Sequence, residues 1–346
     1  MRPTVDVFIL GVAAGPPSVL DEPSWPVSLR LFPTGLPTLP EFAAAPVSSQ
    51  LAEGESELAA LVTGNDRETL RSTAMIGFFL GDQKDHVARL VMDRVDLGSL
   101  VDPTQSWQAT CGTRILLAPR AGHGPVVFRR SHLRQIGPLR PVAEPVWDWV
   151  IRAARAGRRI NSSPIPDALR SGLCRLPLLV PPTPGPGADW LRKHLTDFTL
   201  AEFNPGSKPR SRVDEIALRA GLFQWHDFLN ESHELSQSIE GKGENQLGDY
   251  WHAIMHRREP DYSNAKYWFR QIGNQPNYRE LRSQADGILA ACTAPDASRW
   301  RERLRAGSKW DPFAFVDLCE ACAADETTDL ALAARKIQYA EMSMLV

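Results

Sequence analysis

The sequence predicts two domains, an α/β domain over residues 1–175 and an all-α helical bundle over residues 191–346. Three observations predict this division. The chain of 346 residues is longer than one ordinary domain core. Strand-like and helical patterns alternate in the first part, whereas amphipathic helical patterns follow one another in the second. Between them, LPLLVPPTPGPGADW at 176–190 interrupts both periodicities and is typical of a linker.

The predicted elements of the first part alternate along the chain. VDVFILGV predicts the first strand, and the Pro-rich sequence that follows, up to residue 42, predicts long loops. Helices are predicted for SSQLAEGESELAALV, RETLRSTAM and EPVWDWVIRAARAG, the last of which ends at Gly157. Further strands are predicted for IGFFL, RILLAP, VVFRR and RRINSSP. Such alternation is typical of a layered α/β domain.

The second part has almost no alternation of β-branched residues. Its apolar residues recur at helical spacing, which predicts antiparallel helix pairs with short connections. The predicted helices lie near 188–197, 212–239, 246–258, 261–272, 277–292, 297–306, 312–324 and 326–343.

Composition and charge argue against several classes of protein. Lys and Arg number 39 against 41 Asp and Glu, so the chain lacks the basic excess of a protein that binds nucleic acid through its phosphates. No apolar run reaches the length of about 18 residues that a transmembrane helix needs. The five cysteines are odd in number and scattered, which argues against a disulfide framework and favours a reducing, cytoplasmic location.

Four segments of the first part, taken together, resemble a family 2 glycosyltransferase over residues 1–165. They are VDVFILGV, ETLRSTAMIGFFLGDQKDHVARLV, GPVVFRRSHLRQIGPL and WDWVIRAARAGRRI. The most specific motifs are Phe128-Arg129-Arg130-Ser131 with Gly137, and Trp147-Asp148-Trp149 with Arg152. The resemblance implies a mixed-sheet domain that binds a nucleotide sugar together with a divalent metal.

The catalytic positions that the resemblance implies depart from the family pattern. Asp82 and Asp85 would hold the metal and the nucleotide diphosphate, but Gly81 stands where the family has a first carboxylate. Glu144 or Asp148 would act as the base that activates the acceptor sugar. The acidic pair expected before the tryptophan motif is reduced to one carboxylate. These departures predict that sugar transfer is weakened or lost.

A second group of chemically active side chains lies in the helical part, in DYWHAIMHRREPDYSNAKYWFRQIG after residue 248. The proline that follows Glu259 predicts two helices that meet at this point. His252 and His256 are four residues apart and share one helix face, which Glu259 continues. The preceding helix carries a second polar stripe, formed by Asn230, His233 and Gln237. If these helices pack antiparallel, the two stripes converge in one cleft.

Three interpretations of this group remain open. His252, His256 and Glu259, with His233, have the side chains of a transition-metal site, so a divalent metal is one cofactor that the sequence suggests. Alternatively, a pocket for a small molecule or a sugar phosphate would use charged, amide and aromatic groups. Its residues would be His233, Glu234, Gln237, His252, His256, Arg257, Arg258, Glu259, Asn264, Lys266, Tyr267 and Arg270. The third interpretation is a packing hairpin of tetratricopeptide type that docks a protein partner.

The helical part also resembles an uncharacterised family of bacterial and fungal proteins over residues 220–345. The segments that carry this resemblance are FLNESHELSQSIEG, GDYWHAIMHRREPDYSNAKYWFRQIG and WDPFAFVDLCEACA. The resemblance implies a domain but no activity. Gln338 and Glu341 of the closing helix are expected to face the same cleft as the histidines.

Overall fold

The computed structural model describes residues 4–25, 27–36, 38–63, 70, 73–74, 86–92, 126–156, 159–164, 176–200, 211–305 and 310–345. The chain forms two compact units. The first comprises Met1–Arg175, Gly187–His194 and Thr199–Ser207, and the second comprises Leu176–Pro186, Leu195–Phe198 and Lys208–Val346. The predicted fold class is confirmed, because an α/β unit is followed by a helical one.

The first unit is built on a mixed sheet. Its described strands are β1 Thr4–Leu10, β2 Ser18–Leu20, β3 Ser28–Pro33, β4 Leu58–Thr63, β5 His86–Met92, β6 Val126–Arg129 and β7 Arg159–Pro164. Their order is β2-β3-β1-β4-β6-β5-β7. Strand β1 is parallel to β3 and β4, and β5 is parallel to β7, whereas β6 is antiparallel to both β4 and β5. Strand β1 is buried along nearly its whole length, as expected for an inner strand covered on both faces.

Short helices accompany the sheet. They are α1 Leu39–Ala44, α2 Gln50–Glu53, α3 Arg130–Ile136 and α4 Pro145–Arg155. A further helix, α5 Asp189–Thr196, which was predicted near 188–197, begins in the first unit and ends in the second. Helix α4 was predicted, and it starts with a proline in the first turn, where the missing N–H has no helical partner to lose. Its Trp149, Val150 and Ile151 are all buried.

Two predictions for this unit are wrong. The Pro-rich sequence before residue 42 contains strands β2 and β3 in addition to loops, because β3 extends the sheet next to β1. Residues 58–62, predicted as the end of a helix, belong to strand β4 because they fill the place between β1 and β6. The predicted strands IGFFL and RILLAP, and most of the predicted helix RETLRSTAM, lie outside the described residues.

The second unit is helical. Its described helices are α6 Arg212–Trp225, α7 Leu229–Ser238, α8 Leu247–Arg258, α9 Tyr262–Ile272, α10 Tyr278–Ala290, α11 Ala297–Arg305, α12 Pro312–Cys322 and α13 Asp329–Met344. The bounds agree with prediction to within a few residues, except that the helix predicted over 212–239 is two helices. The chain turns at Asp227, which adopts a φ of 69° and whose carboxylate pairs with Arg258. No helix in the described part of the chain is long and apolar enough to cross a membrane.

Helix α8 lies at the centre of the helical unit, since every residue from Gly248 to Arg258 is buried. Helix α6 approaches it closely at Gly221, where an added Cβ would lie 2.5 Å from the Trp251 ring. A helix buried on all sides is normally apolar. This helix nevertheless carries two histidines and two arginines in its last two turns, and each of these polar groups needs a partner when buried. Their surroundings therefore define the candidate site.

Candidate functional site

Three imidazole rings meet where helix α7 packs on helix α8. The ring of His252 lies 4.8 Å from that of His233 and 4.7 Å from that of His256, between centroids. The ring of His233 lies 5.5 Å from that of His256. One nitrogen from each ring can be chosen so that all three lie within 4.8 Å of one another. The structure thus brings together His233, from the polar stripe predicted on helix α7, and His252 and His256, from the face predicted on helix α8.

His252 is the most enclosed member of this cluster. Its side chain is 2 % exposed, and its ring stacks on the Trp268 ring of helix α9 at 4.1 Å. Neither of its ring nitrogens has a hydrogen-bond partner within the described part of the chain. Burial, followed by the neighbouring charges of His256 and His233, lowers the pKa of His252 to about 3. The ring is therefore neutral at ordinary pH and offers an unused lone pair.

His256 has partners on its other side. Its Nδ1 lies 2.6 Å from Oε1 of Glu259, and Nδ2 of Asn264 lies 3.1 Å from its Nε2. A proton on Nδ1 donated to Glu259 would leave the lone pair on Nε2, the tautomer that metal-binding histidines commonly use. In the present structure that lone pair faces the Asn264 amide, which a metal ion would replace. The ligand atoms of Glu259 and Asp261 also lie within 4.8 Å of a His256 nitrogen, in a group that does not include His252. Asp261 is already engaged, since its carboxylate accepts the backbone N–H of Asn264 at the start of helix α9.

Arg257 points to a different side of helix α8, away from the histidines. Its Nη2 donates to Oε2 of Glu341 at 2.5 Å, and both side chains are fully buried. The hydroxyl of Tyr250, seven residues earlier on the same face, donates to the other oxygen of Glu341 at 3.1 Å. The guanidinium carbon lies 4.5 Å from the centre of the Phe315 ring. Burial, the largest influence, lowers the pKa of Arg257, but the charge and hydrogen bond of Glu341 together with the neighbouring Cys319 and Tyr250 outweigh it and hold that pKa above its usual value.

Arg258 occupies a third side of helix α8. Its Nη2 donates to Oδ1 of Asp227 at 2.6 Å, and its Nε donates to the carbonyl of Leu178 at 3.2 Å. Its Nη1 donates to the carbonyl of Gln224. All three nitrogens of the guanidinium therefore bind groups of the protein itself.

The remaining residues of the predicted pocket lie around these three sides. Lys266 pairs with Asp317, and the guanidinium of Arg270 lies 5.7 Å from the centre of the Phe313 ring. Tyr267 is 49 % exposed, and the side chains of Glu234 and Gln237 are exposed on helix α7. Gln338 lies 3.4 Å from Arg257 and so faces the arginine side with Glu341. The structure thus brings together His233, His252, His256, Glu259 and Asn264, and it places the arginines elsewhere.

In the α/β unit, Asp148 lies in a buried ion network. Its carboxylate accepts from Nε of Arg152 at 2.9 Å and from Nε2 of His194 at 3.0 Å. Burial, the largest influence, raises the pKa of Asp148, but the bonds from His194 and Arg152 outweigh it and lower that pKa overall. Glu144 lies just before helix α4 and is half-buried. Asp82 and Asp85 lie outside the described residues.

The residues that carry the glycosyltransferase resemblance make internal contacts. Nε1 of Trp149 donates to the carbonyl of Gly137 at 3.0 Å, and its ring meets the Phe128 ring edge-on at 5.1 Å. Arg152 donates to the carbonyls of residues 136 and 138, on either side of that glycine. Nη2 of Arg130 donates to the buried carboxylate of Asp6 at 2.7 Å. These motif residues therefore stabilise the α/β unit.

Comparison with known proteins gives little information on the family or activity of this chain. The sequence matches no family model and no curated protein. Among solved structures, the chain is similar to a mannosyltransferase from Pyrobaculum calidifontis, described in complex with GDP-Man and Mn²⁺. The identity is 13 %, the match covers 94 % of this chain and 88 % of that one, and the TM-score is 0.32. A likeness of this degree carries no argument about activity.

Proposed function

We propose that the helical unit binds a transition-metal ion through His233, His252 and His256. The observation that carries this proposal is the buried ring of His252, with two unpartnered nitrogens between two further imidazoles. Buried polar side chains almost always have a partner, and one without a partner costs about 1–3 kcal/mol. A metal ion bound to the neutral ring would remove this cost.

The composition of the cluster favours a particular class of metal. Three imidazole nitrogens are ligands that suit zinc, copper, iron or nickel, whereas magnesium and calcium prefer oxygen. In a tetrahedral zinc site the ligand nitrogens are roughly 3.3 Å apart, as follows from Zn–N bonds near ~2.0–2.1 Å. The three nitrogens now lie within 4.8 Å of one another, so binding requires them to approach, and His233 is the half-buried member of the three.

The neighbours of His256 suit the same role. A carboxylate that accepts the second N–H of a ligating imidazole fixes its tautomer and raises its basicity. Glu259 is placed to do this, at 2.6 Å from Nδ1. With three protein ligands, a tetrahedral ion keeps a fourth position for water or a substrate, as catalytic zinc sites do.

Elemental analysis of the purified protein tests the proposal. We expect about one transition-metal ion per chain after expression in zinc-supplemented medium, and little or none in His252→Ala. Zinc added to the metal-free protein should raise its melting temperature, since a ligand at a hundred times its dissociation constant adds about 2.7 kcal/mol.

A matched control separates metal binding from general stability. His226 is a buried histidine of the same unit outside the cluster, so His226→Gln should keep its metal. The proposal is wrong if the wild-type protein contains no metal and zinc leaves its melting temperature unchanged, or if both variants lose the metal equally.

We also propose that the α/β unit is a glycosyltransferase-like scaffold in which sugar transfer is weakened or lost. The contacts of Asp148 support this, because a general base needs a free lone pair within reach of the acceptor hydroxyl. The Asp148 carboxylate is instead occupied by Arg152 and His194, and its pKa is lowered, which makes it a weaker base. The sequence departure at Gly81, beside Asp82, points in the same direction.

Calorimetry with UDP- and GDP-sugars in the presence of a divalent metal tests this second proposal. We expect no saturable heat of binding. Micromolar binding by the wild-type protein that disappears in Asp82→Ala would show that the donor site works, and the proposal of a lost activity would be abandoned.

A further inference from the structure

The segment at 176–180, which bends at residues 179 and 180, is held against the helical unit through its backbone. Four side chains make the contacts: Arg258 from helix α8, Glu326 from the turn before helix α13, and Arg335 and Gln338 from helix α13 itself. All of these residues belong to the second unit. The segment was predicted to be part of a linker, and nothing in its own sequence indicates such an attachment.

Both the carbonyl and the N–H groups of this backbone are bound. Three consecutive carbonyls, those of residues 176–178, accept from the side-chain nitrogens of Arg335, Gln338 and Arg258. The next two N–H groups, of Leu179 and Val180, donate to the two oxygens of Glu326, at 2.8 Å each. Nε of Arg335 lies 3.7 Å from the same carboxylate, so the two charged groups orient each other.

The side chains of the segment are buried in a simple pattern, in addition to these backbone contacts. Leu179 is 1 % exposed, Pro181 is buried, and the following Pro182 and Thr183 are exposed. Pro177 has no N–H, so a proline at that position leaves no donor without a partner. Proline also favours the extended conformation and lowers the entropy lost on binding. The matching ligand is a peptide with proline, any residue, and a buried apolar residue in succession, whose backbone bends at the apolar residue.

We propose that this groove is a peptide-binding site, filled in cis by residues 176–181, that accepts a proline-containing segment of another protein in its place. The groove contacts carbonyl and N–H groups that every peptide has, so selection depends on the positions of proline and of the apolar side chain. Without a peptide, Arg258, Arg335 and Glu326 would each lose backbone partners, which makes an occupied groove the stable state. A partner therefore competes with a tethered segment whose effective concentration is of millimolar order.

A fluorescent peptide with the sequence of residues 176–183, LPLLVPPT, tests the proposal when titrated into the full-length protein. Leu179→Glu weakens the cis segment and leaves the groove residues intact. Fluorescence anisotropy should show the peptide binding this variant at least about tenfold more tightly than the wild-type protein, because the apparent affinity rises with the fraction of open groove. Adding Arg335→Ala to Leu179→Glu should remove the gain.

A peptide of the same composition provides the control. Exchanging the proline and the leucine at positions 177 and 179 puts proline where Glu326 needs an N–H donor, so this peptide should not bind. Equal binding of the two peptides, or no gain in affinity for Leu179→Glu, overturns the proposal. If Leu179→Glu does not fold, Leu179→Ala must show the same order of affinities, and a failure there overturns it as well.

Discussion

Replacing Arg257 with alanine is expected to lower the free energy of unfolding by about 3–5 kcal/mol. Glu341 is fully buried, and Arg257 is the cation that neutralises it. The hydroxyl of Tyr250 would remain as a hydrogen-bond donor to Glu341, but it carries no charge. Leaving a buried carboxylate without its cation costs far more free energy than the intact ion pair contributes to stability. Chemical denaturation of the wild-type and variant proteins measures the difference.

A double substitution distinguishes this explanation from a simple loss of packing. Arg257→Met combined with Glu341→Leu removes both charges and keeps most of the volume, so much of the stability should return. Arg301→Ala, which removes a half-exposed ion pair with Asp286, should have a much smaller effect. If the double variant loses at least as much as the two single changes together, the buried pair is not what stabilises this side of helix α8.

This first result bears on function, because Arg257 was predicted to bind a ligand. A side chain that neutralises Glu341 inside the bundle would affect any activity through the fold. Variants of Arg257 would then lose metal binding and peptide binding together with their stability. Variants of His252 that fold normally should lose only the metal.

Acidification should destabilise the metal-free protein more than His252→Gln. The pKa of His252 is about 3 in the folded protein, against an ordinary value of 6.5. The unfolded chain therefore binds a proton at this residue between these two values and the folded protein does not. Above about pH 6.5 this residue therefore does not change the free energy of unfolding. Below that pH it lowers the free energy of unfolding by at most about 1.4 kcal/mol per pH unit, until the folded ring is also protonated.

The comparison with His252→Gln isolates this effect, since glutamine does not titrate and the acidic residues are common to both proteins. Denaturation midpoints measured between about pH 7 and pH 4 should diverge as the pH falls, with the wild-type protein losing more stability. Parallel pH profiles would show that His252 is solvated or already protonated in the folded state. Saturating zinc should leave this difference in place, because the zinc-bound ring carries no proton and the unfolded chain still binds one.

Local patterns in the sequence predicted much of the fold because they report local structure. The helical spacing of the second part predicted helices α8 and α9 almost to their ends, and the proline after Glu259 predicted their junction. The same criterion failed for Leu58–Thr63, whose apolar residues suit a helix as well as a strand. Its pairing with β1 and β6 decided the outcome, and pairing is not visible in a local pattern.

For the candidate site too, spacing along the helix was informative, whereas charge was not. The four-residue spacing of His252 and His256 placed them on one face, and the structure has their rings 4.7 Å apart. Charge alone also suggested that Arg257 and Arg258 belonged to that site. Their positions on the helix turn them to other sides, where Glu341 and Asp227 pair with them.

The sequence by itself therefore determined the two kinds of unit, the course of most helices and the shared face of the two histidines, because each follows from spacing along one element. Only the tertiary structure decided which partners these side chains meet. Arg257 binds a residue 84 positions away, and Arg258 binds the backbone of a segment 80 positions away. Burial makes such partners obligatory, since a buried charge or polar group without one is too costly. The packing of helix α8 at the centre of the bundle determines which partner each buried side chain contacts.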